Sequence, residues 1–196
     1  MRTLVIDIET TGLPQKGHTY EANFMDFPYI VGIAWKLDNQ ESVDFIINQE
    51  GREIPKEASD INGITTEIAN KSEHMLQDVI LKLLAVSPVD CVIGHNIYFD
   101  TSIIKANILR LIAQEKLPKE TSIHFEELVH KDKRIDTMRK SIKFCGVGTY
   151  PKLSVLYSKL FNENFEAHNS KNDVEATYKC YLKLKELGHI LEEVKV

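Results

Sequence analysis

Residues 3 to 9, TLVIDIE, carry two interleaved patterns. On the two-residue period of a strand, Leu4, Ile6 and Ile8 face one way while Val5, Asp7 and Glu9 face the other. The apolar positions are all β-branched or Leu, as in a strand packed on both faces, where an unpaired carboxylate is costly. An edge strand with one wet face would read the same way. Downstream, YIVGIAWKL (29 to 37) and SVDFIIN (42 to 48), separated by the polar residues 38 to 41, predict an antiparallel hairpin beside the first strand. Residues 51 to 74 are mixed and polar. MLQDVILKLLAV (75 to 86) has helical spacing, and CVIGHN (91 to 96) reads as a fourth strand.

Ile103, Ile104, Ile108, Leu111 and Ile112 mark one face of a helix over 101 to 115. A last short strand is expected over Lys133 to Thr137, then helices near 152 to 161 and 171 to 187, the second with Val174, Tyr178, Tyr181 and Leu184 inward. The segment from Cys145 to Gly148 reads as a loop. The order β-β-β-α-β-α-β-α-α implies an α/β fold: a mixed sheet of three antiparallel strands with parallel additions, flanked by helices.

At 196 residues, 43% hydrophobic and 27% charged, the chain fits one soluble domain spanning 1 to 196. No apolar run approaches a membrane span and residues 1 to 15 lack a signal pattern, so the expectation is a cytoplasmic protein with no membrane partner. The three cysteines, Cys91, Cys145 and Cys180, are widely spaced without a CxxC pair, which argues against a disulfide framework or a zinc knuckle. The net charge of −5 argues against a general polyanion binder, yet it counts acids that a bound cation would neutralise.

Asp7 and Glu9 lie roughly 7 Å apart along a strand, and the turn-like Thr10-Thr11-Gly12-Leu13 leaves them at an open strand end. Asp100 precedes the helix expected from Thr101, where a plain N-cap is an equally good reading. Asp173 closes a Ser170-x-x-Asp173 capping-box spacing, and His168 just before it would by itself be a surface residue. Together they say more. Four carboxylates are hard oxygen ligands suited to Mg²⁺ or Mn²⁺. They could hold two divalent ions roughly 4 Å apart, the arrangement for in-line phosphoryl displacement. His168 could take the proton of an attacking water.

Three segments in order resemble the DEDDh class of 3′→5′ exonucleases, a family that includes proofreading subunits of bacterial DNA polymerases. DIETTGL (7 to 13) is similar to its D-x-E-T-T-G motif, GHNIYFD (94 to 100) to its second motif, and HNSKND (168 to 173) to its H-x(4)-D motif. ASDINGIT, RIDTM and KLSVLYSKLF are weaker echoes, with Asn62 where the family usually has the histidine of His-Gly-Ile. The resemblance implies a ribonuclease-H-like fold and metal-dependent hydrolysis of the 3′-terminal phosphodiester of DNA or RNA, releasing nucleoside 5′-monophosphates. It implies two Mg²⁺ or Mn²⁺ ions on Asp7, Glu9, Asp100 and Asp173, with His168 as general base. It also implies contacts to a single-stranded 3′ end from Thr10, Thr11, Gly12, Leu13, Gly63, Ile64, His95, Asn96 and Phe99, with Leu13 as a base wedge. For His95, Asn96 and Phe99, ordinary strand-end packing is an equally good reading.

Two other readings compete. A haloacid-dehalogenase-type phosphatase also carries an acidic motif at the end of its first strand, but Glu9 is one methylene too long for its second aspartate, and that fold expects a helix where this chain shows a hairpin. A catalytically inactive nucleic-acid-binding module would keep the fold and dispense with some of the five positions filled here. Lys131, Lys133, Arg134, Arg139, Lys140 and Lys143 form a basic stretch that reads equally as a solvated face or a phosphate track. The tail from Glu186, ELGHILEEVKV, shows no evident partner-binding extension, so a free-standing enzyme is favoured over a polymerase subunit, with the polymerase partner left open.

Overall fold

A computed structural model of the protein describes residues 1 to 146 and 148 to 190. In chain order the elements are β1 (Thr3–Thr10), α1 (Tyr20–Asn23), β2 (Ile30–Leu37), β3 (Val43–Ile46), α2 (Lys56–Asn62), α3 (Thr66–Lys71), α4 (Leu76–Leu84) and β4 (Cys91–Gly94). They continue with α5 (Ile97–Ala113), α6 (Glu120–Leu128), β5 (Arg134–Asp136), α7 (Thr137–Lys140), α8 (Ile142–Cys145), α9 (Leu153–Phe161) and α10 (Ser170–Glu186). The strands form one five-stranded sheet in the order β3-β2-β1-β4-β5. β1 pairs antiparallel with β2, and β2 with β3, whereas β4 joins β1, and β5 joins β4, in parallel. The mixed sheet expected from the sequence is therefore present, with β1 at its centre.

The central position decides how the alternation in β1 is used. Leu4, Ile6 and Ile8 pack with Val79, Ile80 and Leu83 of α4, Ile103, Ile104 and Ile108 of α5, and Phe125 of α6. Val5 faces the other layer, with Ala34, Ile93, Leu156 of α9, and Val174, Cys180, Tyr181 and Leu184 of α10. A strand buried on both faces makes its next two residues on the Val5 side, Asp7 and Glu9, continue directly under α10. The wet-edge alternative is excluded.

Several boundaries differ from the sequence reading. α5 starts at Ile97 rather than Thr101, because Asn96 takes a left-handed turn (φ 77°, ψ 48°) immediately after β4 and the helix begins at once. Asp100 therefore lies in the first helical turn and is not an N-cap. At α10 the cap is Asn169, whose Oδ1 accepts the Asn172 N–H at 3.2 Å, so the Ser170–Asp173 capping box does not form. Residues 51 to 74 contain α2 and α3, each burying a single alanine, Ala58 or Ala69. α6 was not anticipated, although Thr121, Phe125 and Leu128 carry its buried face. On α10 Tyr178 is half-buried and packs against the core as expected, and Thr177 joins the inner face. Cys145 ends α8, and Gly146 caps it in the left-handed region. Val147 of the expected loop and residues 191 to 196 of the tail lie outside the described residues.

The three cysteines are free thiols, all buried. Among the described residues no helix is long and apolar enough to cross a membrane.

Candidate active site

β1 outruns its parallel neighbour. β4 pairs with β1 only from Thr3 to Val5 and ends at Gly94, so the last residues of β1 have no strand on that side. α5 fills the gap: the Ile8 N–H donates to Asp100 Oδ1 at 3.2 Å. A backbone amide left without a ladder partner thus fixes the position of one acid. From the other layer, α10 lays Asp173 over the strand. One carboxylate oxygen each from Asp7, Glu9 and Asp173 lie within 4.8 Å of one another. Asp100, 4% exposed, stands outside that trio on the α5 side, close enough for its charge to act on Asp7.

The surroundings disfavour bare negative charge. Burial, then repulsion from Asp100, Asp173 and Glu9, pushes the Asp7 carboxyl well above the usual carboxylate range. Burial and the Asp173 charge raise Glu9 to about 7. Burial likewise raises Asp100 to about 8, against the pull of its own N–H and that of Ile8, with Asp136 and Glu9 adding repulsion. Asp173 rises to about 6, chiefly by burial, although the His168 N–H and the nearby imidazole pull it down. Asp173 Oδ1 is buried with no hydrogen-bond partner among the described residues. Four hard oxygen donors, crowded, raised in pKa and including an orphaned oxygen, fit divalent cations such as Mg²⁺ or Mn²⁺. A soft-metal set would need thiolates or imidazoles, and the three cysteines are buried in the core.

His168 sits on the turn before α10 at φ 67°, with its side chain exposed and its N–H donating to Asp173 Oδ2 at 3.0 Å. That contact fixes the backbone of the turn, close enough for the imidazole to act electrostatically on Asp173.

At the far end of β1, Thr10 Oγ1 donates to the Gly12 carbonyl at 2.7 Å, while Thr11 exchanges hydrogen bonds with Tyr29: its N–H to the Tyr29 carbonyl at 2.9 Å, and the Tyr29 N–H to its Oγ1 at 3.0 Å. The turn is fixed at its base, and Leu13 projects from it with 80% of its surface exposed. Asn62 closes onto the same turn: its Nδ2 donates to the Thr10 carbonyl at 3.4 Å, and its Oδ1 accepts the Ile64 N–H at 2.9 Å. Gly63 is exposed at a left-handed helix cap, and Ile64 is buried against Val31, Ile54 and Ala58. Of the remaining candidates, His95 has both ring nitrogens engaged, with Thr137 Oγ1 at 3.0 Å and the Pro151 carbonyl at 2.9 Å. Burial lowers its pKa. Phe99 packs half-buried on the core. Both residues make packing contacts at the strand end, and Asn96 forms the left-handed turn.

Gly32 was not read as part of the site. It pairs with Glu9 across the β1–β2 ladder, and a Cβ there would lie 3.3 Å from Glu9 Cβ and 3.1 Å from Ile64 Cδ1. The signal was available: a glycine inside an otherwise apolar strand marks a close approach.

The sequence profile of the exonuclease family (RNase_T) matches residues 4 to 181. No functionally curated protein matches. Among solved structures, exonuclease X in complex with 5′ overhanging duplex DNA superposes with a TM-score of 0.62 at 19% identity, covering 97% of this chain and 95% of that one. Exonuclease I of E. coli in complex with a dA16 oligonucleotide gives 0.67 at 18% identity, covering 94% of this chain and 41% of that one. A 3′-exonuclease described for 3′-end-specific recognition of a histone mRNA stem-loop gives 0.65 at 12% identity, covering 95% of this chain and 64% of that one. The chain thus spans nearly all of exonuclease X but about two fifths of exonuclease I. At these identities the likenesses establish the ribonuclease-H-like fold. With its profile matched over most of its length, the chain belongs to the exonuclease family, of the DEDDh 3′→5′ type that its motifs resemble.

Proposed function

We propose that the protein hydrolyses the 3′-terminal phosphodiester of a single strand of DNA or RNA, releasing nucleoside 5′-monophosphates, with Mg²⁺ or Mn²⁺ held by Asp7, Glu9, Asp100 and Asp173. The observation that carries this reading is the convergence of Asp7, Glu9 and Asp173 within 4.8 Å at the open end of β1. Bound there, divalent cations would neutralise charge on the phosphate and make water a stronger nucleophile.

The chain's own residues have separate tasks. The turn carrying Leu13 meets the last nucleotide, its exposed side chain entering beside the terminal base. Thr10 and Thr11 hold that turn, and Asn62 ties it to Gly63 and Ile64. His168 accepts the water proton on its imidazole, from a turn that the backbone contact to Asp173 holds next to the acids. His95 and Asn96 act from behind by shaping the start of α5.

The experiment is a time course on 5′-labelled single-stranded DNA and RNA of one sequence, with Mg²⁺, Mn²⁺ or EDTA. A metal-dependent ladder shortening from the 3′ end supports the proposal and ranks the two sugars. A folded, metal-binding protein that cleaves neither strand contradicts it and favours a binding module.

A further inference from the structure

Gly94 and Asp136 are the last residues of β4 and β5, and they face each other in the parallel ladder. Asp136 sends its carboxylate across the two strand exits. Its Oδ1 accepts the N–H groups of Met138 at 3.0 Å and Arg139 at 3.3 Å, which caps α7, and also the N–H of Asn96 at 3.1 Å on the neighbouring exit. Thr137 makes a second crossing: its hydroxyl donates to the Gly94 carbonyl at 3.1 Å and lies 3.0 Å from His95 Nδ1. Thr137 has no exposed surface, and the Asp136 side chain is 11% exposed, its Oδ2 lying 3.5 Å from Arg139 Nε.

The residue captured in this way is itself in a special backbone conformation. Asn96 holds φ 77° in the left-handed region, and its own side chain makes no capping hydrogen bond to α5. Four residues later the same helix delivers Asp100 to the Ile8 amide. The turn at Asn96 sets the phase and entry angle of α5, and hence where the Asp100 carboxylate ends.

We infer that Asp136 is a positioning residue for the reaction: by accepting the Asn96 amide it fixes the turn that launches α5 and so places Asp100 in the metal-binding cluster. This rests on the function proposed above. Asp136 touches neither the acidic trio nor the substrate turn; its charge adds to the repulsion on Asp100, and its hydrogen bonds act through Asn96. Oδ1 geometry, rather than charge, is what the role needs, since three backbone N–H groups converge on that one oxygen.

Two variants separate geometry from charge. Asp136→Asn keeps an acceptor at Oδ1 and removes the charge; Asp136→Glu keeps the charge and displaces the acceptor by one methylene. Each is compared with wild type for kcat and KM on an oligonucleotide, for Mn²⁺ affinity by paramagnetic resonance titration, and for hydrogen exchange at the Asn96 amide. Expected for Glu is a loss of about 10-fold or more in kcat and in Mn²⁺ affinity, a small change in KM, and faster exchange at Asn96. Asn should stay within about 3-fold of wild type on every readout, well inside the usual cost of losing an outer-shell partner. Asn impaired as much as Glu, or Glu indistinguishable from wild type, overturns the inference. An inactive wild-type protein would count against the proposed function, while Mn²⁺ affinity and amide exchange would still judge Asp136.

Discussion

Replacing Glu9 by Gln should make the metal-free protein more stable at alkaline pH, although it removes a proposed metal ligand. Glu9 titrates near 7 in the fold instead of the ordinary 4.5, because burial and the Asp173 charge disfavour its ionised form. A carboxyl whose folded pKa is raised contributes its full stability below the unfolded value and loses it as pH climbs through the folded one. At ~1.4 kcal/mol per pH unit, the gap between 4.5 and about 7 corresponds to about 3 kcal/mol by pH 8. Glu9 is partly exposed, so solvent screening reduces this to roughly 1–2 kcal/mol. For a chain of this length that is about 3–6 °C in Tm. The assay is thermal unfolding of wild type and Glu9→Gln in EDTA at pH 8 and near pH 4.5, then with Mn²⁺ at pH 8. The variant should melt higher at pH 8 in EDTA, the gap should largely close near pH 4.5, and Mn²⁺ should reverse the order by stabilising wild type more. A variant no more stable than wild type at pH 8 in EDTA, or a gap unchanged by pH, would refute the picture of mutually repelling buried acids.

Other outcomes follow from the same geometry. Gly32→Val should lower kcat by about 10-fold, since its side chain would displace Glu9 and small misplacements at a reacting centre are costly; unchanged turnover would show that the strand absorbs the added bulk. Asn62→Ala, which frees the Thr10 carbonyl and the Ile64 N–H, should raise KM for an oligonucleotide several-fold with little change in Mn²⁺ affinity, read from initial rates and a metal titration. His168→Ala should reduce the single-turnover rate by about 10²-fold or more, the usual contribution of a general base; a wild-type rate would remove it from that role.

Much of the site was legible because strand alternation and motif spacing are local properties. The Leu4, Ile6, Ile8 face and the Val5, Asp7, Glu9 face follow from a two-residue period, and a central, doubly packed strand keeps both. What was hidden depends on contacts distant in sequence or on special backbone. The start of α5 was misplaced because the left-handed Asn96 ends the β4 turn earlier than the apolar pattern from Ile103 suggests. α2 and α3 escaped notice because each buries only one alanine, so no hydrophobic period marks them. α6 did have the period, at Thr121, Phe125 and Leu128, amid otherwise polar residues. Asp136 falls within the short strand expected over Lys133 to Thr137, and its role stays hidden there because accepting backbone amides leaves no mark on composition. His95 sits inside a matching motif, yet its ring is occupied by Thr137 and Pro151, a partnership 42 to 56 residues away.

If the acids gathered at the end of β1 form the hydrolytic centre, none of them is dispensable for turnover. The most direct test is the rate of 3′-terminal nucleotide release by Asp7→Ala beside wild type, in saturating Mn²⁺, with folding of the variant verified by its unfolding transition. The expected result is a folded variant whose rate falls more than about 100-fold, beyond the usual cost of losing even an outer-shell partner. A folded Asp7→Ala protein that releases nucleotides at the wild-type rate would contradict it.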